Sequence, residues 1–208
     1  MSEIRYRIAK KSDAREIAKL HWQVRGRYHQ GIFLSLGETF LRAYYRVTLD
    51  DPWELVVCAV NESGKIVGFT SVSMDALSRF RNIRKHKFSL GLAALKSLIQ
   101  SPSLFKGLWQ RYRSLSDKVS TENQFVHTEG ARGGYWCWSK EDDSMKSVEL
   151  LKKKDEILKQ LGIKEIYFEV DKFNKAVYRF HLTVNKAEPL KEITLPDGRV
   201  RVLMRKQI

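Results

Sequence analysis

The pattern of hydrophobic and polar positions in the N-terminal third of the chain predicts strands and helices in a fixed order. Residues 4–8 alternate between apolar and polar side chains, as in a half-buried strand, and residues 17–28 repeat their apolar positions with the period of a helix. A second helical stripe covers residues 33–47. The apolar run 54–60 and the return run 65–74, joined by a turn that contains Gly, predict a hairpin of buried strands.

A second succession of strands and helices is predicted for the C-terminal part. Residues 135–138 are apolar and predict a fourth strand, and the apolar stripe over residues 148–161 predicts a helix that Gly162 ends. The alternating run 163–170 predicts a fifth strand, which a crossover through that helix makes a parallel neighbour of the fourth. A further helix follows to residue 184, and an Asp-Gly turn between apolar runs predicts a final hairpin.

Residues 75–130 interrupt this succession with a basic segment of helical composition. Two apolar sets, over residues 90–99 and 104–115, are separated by residues 101–102, a Ser-Pro pair that is typical of a helix end followed by a new start. We predict an added helical hairpin that packs on the domain. The functional alternatives are a lid over a substrate site, or a basic amphipathic surface that contacts a membrane or a nucleic acid.

The composition is that of a globular protein with a strongly basic surface. Hydrophobic residues make up 43% of the 208 residues, and the formal net charge is +14 with an isoelectric point near 9.8. Such a charge attracts anions, among them phosphates, acidic sugars, nucleic acid and anionic membranes, without selecting one of them. The alternative is a lysine-rich surface that only keeps the protein solvated.

The sequence shows no targeting or metal-binding signal that changes this picture. No run approaches the roughly 20 apolar residues that span a bilayer, and the first residues contain no apolar signal core, so a cytoplasmic protein is expected. Cys58 and Cys137 lie in apolar, strand-like runs, which predicts buried thiols and no disulfide. No Cys/His cluster has zinc spacing, so no metal is expected.

Two motifs in the C-terminal part carry a family resemblance. The segment Asp142-Asp143-Ser144-Met145-Lys146-Ser147 lies between the fourth strand and the next helix, and Glu169-Val170-Asp171 ends the fifth strand shortly before Asn174. They resemble the Arg/Gln-x-x-Gly-x-Gly/Ala loop and the helix-opening Asn of the GNAT superfamily, the acetyl-CoA-dependent N-acetyltransferases. His181 stands where that family has a Tyr. The loop here has two Asp and neither Arg nor Gly, so cofactor binding weaker than is usual for the family is expected.

The resemblance implies a fold and a function. The implied fold is α/β (α+β), with a mixed, mostly antiparallel central sheet of about seven strands flanked by helices. It forms a single domain over residues 1–208 with the basic helical insertion at about 75–130. The implied function is transfer of an acetyl group from acetyl-CoA to an amine of a small molecule, such as an amino sugar, or of a peptide. A catalytically weakened module that binds an anionic partner is the alternative, and a nucleic-acid-binding protein ranks last because no recognised motif is present.

The resemblance also implies which residues would hold acetyl-CoA. Backbone N–H groups of the fourth strand would polarise the thioester carbonyl, and the loop with the start of the next helix would hold the pyrophosphate. The implied cofactor-binding residues are Trp136, Cys137, Trp138, Ser144, Met145, Lys146, Ser147 and Asn174. The simpler alternatives are an ordinary capped helix for the loop, with no ligand, and an ordinary N-cap for Asn174.

Several side chains are candidates for proton transfer in such a reaction. His181 could protonate the departing sulfur because an imidazole donates near neutral pH, and Tyr178, one helical turn earlier, could replace it. Glu129, with His127 close by, precedes the fourth strand and could act as the base, directly or through water. The alternatives are that His181 only packs on its helix and that Glu129 and His127 lie in a solvated loop.

Overall fold

One mixed sheet forms the centre of the fold in the computed structural model, which describes residues 3–27, 32–100, 102–106, 109, 129–141, 145–195 and 198–208. Its strands are β1 (Arg5–Ile8), β2 (Glu54–Val60), β3 (Ile66–Ser73), β4 (Ala131–Trp138), β5 (Glu165–Asp171), β6 (Glu188–Thr194) and β7 (Val200–Gln207). The seven strands of the described chain lie in the order β1-β2-β3-β4-β5-β7-β6. All neighbours are antiparallel except β4 and β5, which are parallel. The predicted fold class is confirmed.

Helices connect the strands at positions close to those that the periodicity predicts. They are α1 (Ala14–Gln23), α2 (Ile32–Ser35), α3 (Gly37–Asp50), α4 (Ala76–Lys85), α5 (Lys87–Gln100), α6 (Met145–Gln160) and α7 (Lys175–Thr183). The predicted second helix is divided because Gly37 has a φ of +82°, in the left-handed region, and this separates α2 from α3. Helix α6 begins at Met145, before the apolar stripe that predicts it.

The two faces of the sheet are covered by different helices. On the first face, α1 and α3 pack on side chains such as Val56 and Phe69. On the second face, α6 and α7 pack on side chains such as Val67 and Phe168. Strands β2 and β3 lie under both layers, which explains why their residues are buried almost throughout. Cys58 and Cys137 are buried thiols, as predicted.

Strands β4 and β5 pair only where they begin. In the described chain the parallel register joins Ala131 to Ile166 and Arg132 to Tyr167, and it extends no further. The two strands diverge beyond Arg132, so the sheet opens between them. Gly134, in the middle of β4, is exposed to solvent as a consequence.

The described part of the insertion contains the helices α4 and α5. Helix α5 packs against α3 through Leu90 and Ala94, which are buried, whereas Phe88, Leu92 and Ile99 on the same helix are largely exposed. Among the described residues, none of the helices combines the length and the apolar character that crossing a membrane requires. The second apolar set of the insertion lies mostly outside the described residues.

Close packing of β3 on β4 depends on Gly68. A Cβ built on Gly68 would lie 2.1 Å from Cε3 of Trp138, its registered partner on β4. The Trp138 ring is buried in the core of the second face and cannot move away without disturbing it. Gly91 offers a matched control because a Cβ at this position in α5 would meet nothing within 4 Å.

We expect Gly68→Ala to destabilise the fold by about 1–3 kcal/mol, because the new methyl group overpacks a filled core. Adding Trp138→Leu to Gly68→Ala should restore part of this loss, whereas Gly91→Ala should stabilise the protein by roughly 0.5–1 kcal/mol through helix propensity. Urea unfolding of the variants measures both effects. Equal stabilities of Gly68→Ala and the natural protein would show that the contact with Trp138 is not tight.

Candidate active site between the fourth and fifth strands

A bulge in β4 marks the place where the sheet opens. The register between β3 and β4 shifts between Thr70 and Val72, and the backbone N–H of Tyr135 donates to Ser71 Oγ at 2.9 Å. A Cβ on Gly134 would lie 2.4 Å from the same oxygen. Glycine at this position therefore lets the bulge form, and it leaves the middle of β4 bare on the first face.

Trp136 lies on the second face of the opening and joins two helices. Its indole Nε1 donates to the backbone carbonyl of Ser147, in the first turn of α6, at 3.2 Å. The ring centroid lies 5.2 Å from that of Phe180 and 5.9 Å from that of His181, both on α7. The side chain of Trp136 therefore occupies space between α6 and α7 beside the diverging strands.

An ion pair in the first turn of α6 neutralises the charge of Lys146. Lys146 Nζ lies 3.1 Å from Glu149 Oε1, and the Tyr6 hydroxyl donates to Glu149 Oε2 and to the Lys146 carbonyl. These contacts, Lys146 first, lower the pKa of Glu149. Met145 is 71% exposed and Ser147 is buried. Ser144, with Asp142 and Asp143, lies outside the described residues.

Asn174 caps α7. Its side-chain oxygen accepts a hydrogen bond from the Val177 N–H at 3.3 Å, and its carbonyl accepts one from the Tyr178 N–H at 2.9 Å. This is the ordinary N-cap geometry that Asn favours. The cap fixes the start of α7 and thereby sets which face of the helix meets Trp136.

His181 is buried against aromatic rings. The imidazole centroid lies 4.6 Å from that of Phe168 on β5, and the residue is 8% exposed. Burial, with smaller contributions from Lys154 and Lys206, lowers the pKa of His181 to about 4. The ring is therefore neutral near pH 7, whereas the sequence suggested an imidazole that titrates near neutrality.

A chain of hydrogen bonds determines which ring nitrogen of the neutral His181 carries the proton. Lys206 Nζ donates to Asn185 Oδ1 at 2.6 Å and also pairs with Asp155. The amide nitrogen of Asn185 therefore faces His181 Nδ1, at 2.9 Å, and donates to it. Because Nδ1 accepts a hydrogen bond, the neutral ring carries its proton on Nε2. His181 can donate a hydrogen bond from Nε2 without being charged.

The other candidates for proton transfer lie in different surroundings. Tyr178 is half-buried in the core of the second face, on the same helix as His181. Glu129 is exposed just before β4, next to Gly130, whose carbonyl accepts the Ala76 N–H. His127 lies outside the described residues. The described residues contain no group of three or more His, Cys, Asp or Glu side chains that could hold a metal ion.

Sequence reasoning missed a row of buried charges on the first face. Arg132 Nη2 lies 2.8 Å from Glu169 Oε1, and Arg201 Nη1 lies 2.9 Å from Glu169 Oε2. Arg79 Nε lies 3.7 Å from Glu54 Oε1, and the Glu54 side chain is only 2% exposed. The sequence signal was weak, because Arg79 belongs to a basic run that resembles a solvated surface and Glu54 opens an apolar strand.

Comparison with solved structures assigns the fold. No family model matches the chain, and no curated protein matches it in sequence. An acetyltransferase of the GNAT family from Streptococcus pneumoniae is similar at 14% identity and a TM-score of 0.58, covering 99% of this chain and 100% of that one. The PaiA N-acetyltransferase from Thermoplasma acidophilum, in complex with coenzyme A, is similar at 13% identity and a TM-score of 0.54, covering 99% of each chain. YncA from Salmonella typhimurium, with its cofactor acetyl-CoA, is similar at 11% identity and a TM-score of 0.57, covering 99% of this chain and 94% of that one.

The chain therefore has the GNAT fold. At identities of 11–14%, the structural similarity establishes the fold only. The reaction has to be inferred from the residues of this chain.

We expect the protein to lose stability in acid because two histidines are buried in the neutral form. Burial lowers the pKa of His21 to about 3 and that of His181 to about 4, below the unfolded value of 6.5. The unfolded chain then binds more protons below pH 6.5, so the free energy of unfolding falls by up to about 1.4 kcal/mol per pH unit for each histidine.

Urea unfolding at about pH 7 and about pH 5 measures this dependence. His181→Gln should reduce the loss between the two pH values, whereas the control His86→Gln, at an exposed histidine, should not change it. An unchanged loss in His181→Gln would contradict the assignment of a neutral ring.

Proposed function

We propose that the protein is an N-acetyltransferase that transfers the acetyl group of acetyl-CoA to an amine of a small molecule, such as an amino sugar, or of a peptide. The observation that carries the proposal is the separation of β4 and β5 beyond Arg132, between α6 and α7. Two proteins of the same fold have been solved with coenzyme A or acetyl-CoA bound. The opening suits a narrow chain such as pantetheine.

Backbone groups of β4 would carry the central step. Along an edge that faces an opening, every second N–H of a strand points away from its paired neighbour. Such groups around Trp136, Cys137 and Trp138 would stabilise the oxygen of the thioester carbonyl when the amine nitrogen adds to its carbon. The C–S bond then breaks, the amine gives up a proton, and the sulfur leaves as a thiolate or receives a proton.

His181 and Tyr178 would both act on the departing sulfur. His181, neutral with its proton on Nε2, would donate a hydrogen bond to the departing sulfur. Tyr178, half-buried on the same helix, would supply the proton, because a hydroxyl can be both donor and acid. Glu129, exposed before β4, would take the proton of the amine through water.

The start of α6 and the cap of α7 would hold the cofactor. We assign the pyrophosphate to Ser144, Met145, Lys146 and Ser147, and a further contact to Asn174. Backbone N–H groups at the start of α6 and the positive end of its dipole would attract the phosphates. Because Glu149 already neutralises Lys146, we expect this part of the site to bind less tightly than an uncompensated lysine would.

Thiol release from acetyl-CoA in the presence of a panel of amines tests the proposal. We expect Tyr178→Phe to lower kcat by about 10²-fold or more, the effect of losing a general acid, with little change in the Kd for acetyl-CoA. His181→Ala should lower kcat less and leave the shape of its pH profile between about pH 6 and about pH 9 unchanged, because the ring stays neutral there. Unchanged turnover in both variants would mean that the thiolate leaves unaided.

A second candidate function is a GNAT-fold module with weakened catalysis that binds an anionic partner. The specific observation in its favour is the indole of Trp136, which already fills space between α6 and α7. Calorimetry with millimolar acetyl-CoA and coenzyme A separates the two functions. Absence of heat and of a thermal shift would favour the module, and saturable binding would favour the enzyme.

A further inference from the structure

Arg79, which belongs to the insertion, has a buried guanidinium group next to Gly134 in β4. Arg79, on α4, has a side chain that is 9% exposed, and its Nη1 lies 3.3 Å from the place where a Cβ of Gly134 would be. Nη2 donates to the Tyr44 hydroxyl. Nη1 is buried and has no hydrogen-bond partner among the described residues. One nitrogen of a charged group thus lies beside the exposed middle of β4 without a hydrogen bond to the described chain.

A second guanidinium group belongs to the same face of the sheet. Arg132 is two residues before Gly134 on β4, so its side chain projects from the same face of the sheet. Nη2 donates to Glu169, which Arg201 also contacts, whereas Nε is buried and has no hydrogen-bond partner in the described part of the chain. Buried donors of this kind are costly unless a ligand satisfies them.

Carboxylates pair with the guanidinium groups of this cluster without satisfying two of the donors. Among the described residues, Arg79 pairs with Glu54, and Arg132 and Arg201 pair with Glu169. Burial raises the pKa of Glu54, an effect that Arg79 partly offsets and that the Asp51 carboxylate increases. Within this described cluster, Arg79 Nη1 and Arg132 Nε remain as charged donors on the face of β4 to which Gly134 belongs.

From this geometry we propose that the acceptor is an amine that also carries a carboxylate, which Arg79 Nη1 and Arg132 Nε bind on the first face of the sheet. The inference rests on the proposed acetyltransferase function. A guanidinium group matches a carboxylate in shape and charge, because its N–H donors can pair with both carboxylate oxygens. The amine end then reaches the opening between β4 and β5, where the acetyl group would lie.

The substrate test compares amines that differ only in the anionic group. The probes are amino acids from glycine to ε-aminocaproate, each with its carboxamide, and phosphoethanolamine as a dianionic amine. We expect kcat/KM to be about 10- to 100-fold higher for the best amino acid than for its carboxamide, as for a lost charge-assisted hydrogen bond. Equal values for acid and carboxamide, or a preference for phosphoethanolamine, would overturn the inference while leaving the proposed function intact.

Variants test the two donors. We expect Arg79→Gln and Arg132→Gln to bring the ratio of acid to carboxamide close to one. The ratio is measured within one protein preparation, so a loss of folded protein does not alter it. Arg84→Gln removes the same charge from an exposed position of α4 and should leave the ratio unchanged. A ratio that survives both substitutions would place the carboxylate elsewhere and overturn the inference.

A binding measurement keeps this test separate from the test of the enzyme. Calorimetry of the natural protein with ε-aminocaproate and with its carboxamide compares the two ligands without any turnover. If acetyl-CoA does not bind, the proposed function fails, but tighter binding of the acid that Arg132→Gln abolishes would still support the anion site. Equal binding of ε-aminocaproate and its carboxamide would contradict the proposed anion site.

Discussion

Both sites that we propose depend on the early end of the parallel pairing between β4 and β5. The strands are joined at Ala131 and Arg132 and separate beyond them. Side chains hold this arrangement on both faces. On the first, Arg132 is tied to Glu169 across the junction; on the second, Trp136 fills space between the helices. Gly134, free of a Cβ, leaves the backbone of β4 accessible between these two supports.

The two faces of the opening differ in their electrostatics. On the second face, His181 is uncharged near pH 7, Lys146 pairs with Glu149, and Lys154 and Lys206 share Asp155. On the first face, the buried charges are guanidinium groups that pair with Glu54 and Glu169. A thioester and a thiolate would meet hydrogen-bond donors on one side, and an anionic acceptor would meet fixed positive charge on the other.

Features that follow from local sequence were predictable, and features that depend on distant contacts were not. The apolar period predicted the strands, and the crossover helix predicted that β4 and β5 would be parallel. The cap at Asn174 could be predicted because capping is local. The neutral state of His181 could not be predicted. It depends on burial against Phe168 and on the hydrogen bonds that Lys206 makes through Asn185. The partners of Arg79 were likewise hidden, since a basic run looks the same whether it is solvated or buried.

Hydrogen–deuterium exchange with and without acetyl-CoA tests the central claim most directly, because it reports where a ligand contacts the backbone. We predict that acetyl-CoA slows exchange over residues 133–138 of β4 and at the start of α6, because the proposed cofactor would cover the backbone there. Helix α5, packed on α3 on the other face, should exchange at the same rate in both states. Slower exchange confined to α4 and α5, or no change in β4 at saturating acetyl-CoA, would contradict a cofactor site between β4 and β5.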